Sequence, residues 1–75
     1  MRILLIEDEL ELQADIKARL ETEGYFVDTS AEGNEGYFFA TEYPLDAAIV
    51  DIGLPGMSGI EIIKKLRDQG HTLPI

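Results

Sequence analysis

No cysteine occurs in the sequence, which excludes disulfides and thiolate metal sites and fits a reducing compartment. Nor is there an apolar run near the ~20 residues that a membrane span needs. Met1-Arg2-Ile3-Leu4-Leu5-Ile6 runs straight into Glu7-Asp8-Glu9, a pattern no signal peptide tolerates, so a soluble, cytoplasmic protein is expected. Basic residues are few: 6 Lys+Arg stand against 15 Asp+Glu, for a net charge of -9. Direct work on nucleic acid or an anionic membrane would meet repulsion, whereas cations and basic partners are favoured. Repeats and low-complexity tracts are absent too, and 75 residues hold at most one small domain. A core of that size rarely supplies more than about 3–5 kcal/mol.

What is present centres on Asp51. Ala47-Ala48-Ile49-Val50 is an unbroken apolar run of strand length, the pattern of a parallel strand buried on both faces. Asp51 follows at its carboxyl end, and Gly53, Pro55, Gly56 and Gly59 then turn the chain into a loop. Open α/β sheets bind ligands at that edge.

Arg2 to Ile6 reads as a first strand that also ends on acids, Glu7-Asp8-Glu9. Leu12, Ile16 and Leu20 then fall four apart on one helical face with Lys17 and Arg19 opposite, and Gly24 stands where a C-terminal cap belongs. Tyr25 to Thr29 predicts a second strand, with Ser30 capping a helix whose apolar side is Ala31, Tyr37, Phe38, Phe39 and Ala40. Gly33 and Gly36 weaken that helix by up to ~1 kcal/mol each relative to alanine. Tyr43-Pro44 ends it, and a third strand spans about Leu45 to Asp51. Ile60, Ile62, Ile63 and Leu66 give a third helix ending at Gln69-Gly70, and Leu73-Pro74-Ile75 resembles the start of a fourth strand.

This β-α-β-α-β-α order predicts a parallel sheet wound with right-handed crossovers and helices on both faces; in a flavodoxin-like, doubly wound sheet of order 2-1-3, incomplete at its fourth strand, strands one and three are neighbours. Glu7, Asp8 and Asp51 would meet at the crevice between strands one and three. Carboxylates so close resist joint ionisation unless a cation offsets the repulsion. A hard divalent ion suits them: two or three carboxylates and a loop carbonyl such as that of Gly53 leave room for waters and a phosphate oxygen, as Mg²⁺ prefers. A phosphoryl group held there could pass to Asp51 and form an aspartyl phosphate.

The Met1–Glu9 segment, the Leu45–Asp51 strand and the Asp51-x-x-Leu54-Pro55-x-x-x-Gly59 loop together resemble the receiver domain of bacterial two-component response regulators. The resemblance implies that Asp51 is the phosphoacceptor, that Glu7 and Asp8 form an acidic pair, and that Asp8, Asp51 and the Gly53 carbonyl ligate Mg²⁺, with Glu7 behind these ligands or acting through water. It also implies a phosphodonor histidine on a sensor kinase. The loop and the Leu73-Pro74-Ile75 segment are most similar to receivers of the PhoP-like group, which precede a winged-helix DNA-binding domain. Family receivers carry a further Ser/Thr and Lys on later strands. Thr72, Lys64 and Lys65 do not take those roles, and residues 1–75 are expected to be the first part of a receiver, truncated after its third helix.

An unpaired edge on the third strand would then favour self-association by strand exchange or edge pairing. Two other functions compete. A Mg²⁺-dependent phosphohydrolase with an aspartate nucleophile would carry a second Asp two residues on, where this chain has Gly53. An interaction fragment with an inert acid site is the other. Glu9, Glu11, Asp15, Glu21 and Glu23 read as a solvated helix face, as do Lys64, Lys65 and Arg67, and His71 as a solvated loop residue.

Overall fold

Every residue from Met1 to Ile75 is described in the computed structural model. Its elements are β1 (Arg2–Ile6), α1 (Leu10–Thr22), β2 (Phe26–Ser30), α2 (Gly33–Glu42), β3 (Ala47–Val50) and α3 (Gly59–Asp68). The strands form one parallel sheet of order β2-β1-β3, the expected winding. Ile6 lies opposite Ser30 on one side and Val50 on the other, so all three strands end level. The chain steps from β1 outward to β2, then back across β1 to β3. Right-handed crossovers in those opposite directions put α1 and α2 on opposite faces. No helix is long and apolar enough to cross a membrane.

Side-chain alternation makes the two faces unequal. Leu4, Ile6 and Ala48 point to the face of α2 and α3, where they close a core with Ala40, Leu54, Met57, Ile62 and Leu66. Leu54 and Met57 come from the β3–α3 loop, so the loop itself is anchored in the core. Ile3, Leu5, Ala47 and Ile49 point the other way, toward α1, which packs on β1 and β2. Nothing covers β3 there, and Ile49 is 41% exposed. The expectation of a third strand buried on both faces is therefore wrong, because burial of Ile49 needs a neighbour that local sequence does not supply.

Helix α1 shows the same shortage of cover: it has no buried residue. Its half-buried stripe is Gln13, Ile16, Lys17 and Leu20, while Leu12 is exposed. Relative to the expected Leu12/Ile16/Leu20 face, the helix is rotated toward Gln13, and Lys17, expected on the solvated side, is half-buried. Ile60 and Phe38 also prove exposed. Gly24 and Gly70 take the positive φ expected after a helix end.

Three local expectations need correction. Ser30 does not cap α2; its carbonyl accepts the Glu7 N–H at 2.9 Å, which keeps it in the ladder. Glu32 caps instead, its carboxylate accepting the N–H groups of Asn34 and Glu35, both at 2.9 Å. Gly33 and Gly36, read as weak points, are where α2 packs closest: a Cβ on Gly36 would lie 2.6 Å from Ile6 Cδ1. Leu73-Pro74-Ile75 is not a formed strand. The Pro74 carbonyl nonetheless accepts the Ala48 N–H at 2.9 Å, so the outer edge of β3 is not wholly unpaired.

At the opposite end of the sheet, Arg2 ties the strands together. Its Nε donates to Asp28 Oδ2 at 2.6 Å and its backbone N–H to Asp46 Oδ2 at 2.7 Å. The guanidinium lies 5.8 Å from the Phe39 ring centre and 5.5 Å from that of Tyr43.

Candidate functional site

Level strand ends bring the acids together. The Glu7 N–H donates to the Ser30 carbonyl at 2.9 Å, and the Asp51 N–H donates to the Ile6 carbonyl at 3.0 Å. Both residues thus leave the sheet from adjacent strands at the same height. Carboxylate oxygens of Glu7, Asp8 and Asp51 lie within 4.8 Å of one another. Glu7 is buried, Asp51 half-buried and Asp8 exposed, so the cluster grades from the protein interior to solvent.

That gradient governs the electrostatics. Burial pushes the Glu7 carboxyl above the usual carboxylate range, and interactions with Asp51 and Asp8 raise it further. The Glu9 N–H, which donates to Glu7 Oε2 at 3.3 Å, acts in the other direction without cancelling the rise. Three hard oxygen donors, one of them resisting ionisation, are the donor set that a hard divalent cation would relieve. Magnesium fits this set, since it needs only one or two carboxylates and keeps several waters.

The loop after β3 shapes the rest of the site. Gly53 N–H reaches Asp51 Oδ1 at 3.4 Å, folding the loop back over the carboxylate. Gly53 itself is exposed, and a Cβ there would meet nothing within 4 Å. Gly59 is different: a Cβ on it would lie 2.2 Å from the Asp51 carbonyl oxygen, so the start of α3 rests directly on the Asp51 backbone. Ser58 caps that helix, its Oγ accepting the Glu61 N–H at 3.2 Å.

On its other side the loop is docked against α2. The Gly33 N–H donates to the Pro55 carbonyl at 3.0 Å, and a Cβ on Gly56 would fall 1.9 Å from Glu32 Oε2. Neither Glu32 nor Gly33 stands out in the sequence as part of a site. Gln13 was also missed; its Nε2 donates to the carbonyls of Glu7 at 2.9 Å and Ser30 at 3.1 Å. A polar residue on the same helical stripe as Ile16 and Leu20 was the available signal.

Residues given no role in the chemistry lie elsewhere. Lys64 and Lys65 are exposed on α3, with Lys65 Nζ 5.6 Å from the Tyr37 ring centre. His71 and Thr72 line an open groove of about 420 Å³ with Tyr43, Pro44, Leu45 and Asp46, next to the start of β3 rather than its end. Glu9, Glu11, Asp15, Glu21 and Glu23 are all exposed.

Comparison with known proteins agrees with this geometry. The model of the response regulator receiver domain matches residues 3–75. The two-component response regulator PhoP of Pseudomonas aeruginosa is 41% identical over 75 residues, covering 100% of this chain and 33% of the relative. Response regulator RppA of Synechocystis is 48% identical over 79 residues, with the same coverages of 100% and 33%. Response regulator TrrA of Thermotoga maritima, solved as a complex with Mg²⁺-BeF, superposes with a TM-score of 0.87 at 35% identity, covering 91% of this chain and 59% of that one. The same regulator solved in complex with the histidine kinase ThkA gives a TM-score of 0.84, again at 35% identity and with coverages of 91% and 59%. The chain thus spans about a third of the length of these curated relatives, 33% in both cases. Sequence, strand order and acidic cluster agree: the chain belongs to the response regulator receiver domain family, with the CheY-like α/β fold.

Proposed function

We propose that Asp51 accepts a phosphoryl group from a histidine on a sensor kinase, with Mg²⁺ held beside it, and that this modification regulates transcription through an effector domain of the whole protein. The single supporting observation is the convergence of the Glu7, Asp8 and Asp51 oxygens within 4.8 Å. Asp8, Asp51 and the Gly53 carbonyl would hold the ion, with buried Glu7 behind them or acting through water. When bound, Mg²⁺ supplies the positive charge that lets the acids ionise together and offsets the charge of an incoming phosphoryl group.

Asp51 does the rest. One of its oxygens receives the Gly53 N–H, and the other forms the new O–P bond as the N–P bond of the donor breaks. The bonding pair returns to the imidazole nitrogen, and a proton on the ring keeps the departing imidazole neutral. The phosphoryl group is held rather than turned over, because Gly53 occupies the place where aspartate-nucleophile hydrolases carry their second aspartate.

Residues 1–75 then correspond to the β1–α3 portion of the receiver. Relatives named as transcriptional regulatory proteins, such as QseB of Escherichia coli at 40% identity, support an output in transcription. Association between copies along the outer edge of β3 is compatible with this role.

Incubation with acetyl phosphate and Mg²⁺, followed by peptide mapping, tests the assignment. One phosphoryl group on Asp51 is expected, absent without Mg²⁺ and absent from Asp51→Asn and Asp8→Asn. Modification elsewhere, or undiminished modification in Asp51→Asn, overturns it.

A further inference from the structure

We infer that Gln13 is a positioning residue for the acidic pair, its side-chain amide fixing the peptide that joins Glu7 to Asp8. This rests on the proposed site and assigns a role to a residue that does not itself touch a phosphoryl group or an ion. The Glu7 carbonyl belongs to the Glu7–Asp8 peptide plane, so its direction sets how the two side chains leave the backbone. It lies beyond the last β1–β2 rung, where the Glu7 N–H meets the Ser30 carbonyl. No further strand residue follows to hold the plane.

Gln13 supplies that constraint from the first turns of α1. Its backbone N–H donates to the Glu9 carbonyl at 2.9 Å, which starts the helix. Its Nε2 donates to the carbonyls of Glu7 at 2.9 Å and Ser30 at 3.1 Å, using both amide hydrogens. The Ser30 carbonyl accepts twice, from Glu7 and from Gln13, and so couples the end of the sheet to the helix. One side chain therefore spans the whole β1–α1 turn, and Asp8 lies inside the span. Partners of this kind, which orient ligands without binding the ion, typically change metal affinity by about 10–100-fold when removed.

Gln13→Met keeps the length of the side chain and removes both donors. Magnesium affinity, measured by titration of the full chain, is expected to fall about tenfold, with the Asp8 and Glu9 amide resonances of the metal-free protein displaced. Leu20→Ala, at the far end of the same helix, serves as a control for loss of stability alone. It is expected to lower the melting temperature at least as much as Gln13→Met and to leave the Mg²⁺ affinity unchanged. Equal Mg²⁺ affinity in the parent and Gln13→Met overturns the role of Gln13 alone, as does an equal loss in Leu20→Ala. A parent chain that binds no Mg²⁺ overturns the site assignment, and this role with it.

Discussion

Gly33 and Met57 meet at a separation that leaves no room for a side chain: a Cβ on Gly33 would lie 1.7 Å from the Met57 carbonyl oxygen. The obstacle is backbone, so it cannot swing aside as the end of a flexible side chain could. Gly33→Ala is therefore expected to lower stability by about 1–3 kcal/mol or more and to displace the loop that follows Asp51. Gly53→Ala, which meets nothing within 4 Å, is expected to stay within about 0.5 kcal/mol of the parent. Thermal unfolding of the two variants side by side checks the contrast, and equal losses would contradict it.

Glu7 gives a dependence on pH whose sign follows from its raised pKa. Between its unfolded and folded values the folded protein binds more protons at Glu7 than the unfolded chain does. This contribution to stability is thus fully present in acid and is lost as pH rises through the folded value. Glu7→Gln removes the dependence. Without divalent ions the variant is expected to melt higher than the parent at neutral pH, and the gap is expected to close below the usual carboxylate range. Added Mg²⁺ narrows the neutral-pH gap by stabilising the parent. Melting curves across that range, with and without Mg²⁺, measure all three effects.

Glu32 has the opposite sign. The Asn34 N–H, and then that of Glu35, hold its carboxyl below the usual range, so its contribution is present above the unfolded value and disappears as pH falls through the folded one. Glu32→Gln is expected to melt below the parent at neutral pH and to approach it in strong acid. A gap that stays constant with pH would assign the effect to packing against Gly56 instead.

The two faces of the sheet predict unequal tolerance. Ile62, fully buried where α3 packs into the core with Leu4, Ile6 and Ala40, should lose about 2–5 kcal/mol on truncation to alanine. Ile49→Thr, on the side α1 leaves bare, should change stability by no more than about 0.5 kcal/mol. Denaturant titrations of both variants give the comparison.

Much of this could be read from the letters, and the reason is local. Arg2–Ile6 and Ala47–Val50 each combine a short apolar run with an acid directly after it, so strand, edge and candidate ligands arrive in one signal. Alternation of strands and helices then pointed to a parallel sheet with right-handed crossovers, and the 2-1-3 order, which alternation alone does not distinguish from 1-2-3, is the one observed. What escaped depends on neighbours distant in sequence. Ile49 looks like any buried strand residue until α1 is seen to pass it by. Gly33 and Gly36 look like helix breakers until Met57 and Ile6 arrive against them. The shift of the α2 cap from Ser30 to Glu32 turned on one extra ladder bond, from the Glu7 N–H.

The bare side of α1 carries a consequence in time. Helices α2 and α3 share a dry core, whereas α1 contributes no buried side chain and rests on a half-wetted stripe. Its amides will exchange with deuterium through local opening well before those of α3. Because Gln13 rides on the first turns of that helix, opening there also lets go of the turn holding Asp8, whereas fraying at the Leu20 end leaves the Gln13 hydrogen bonds in place.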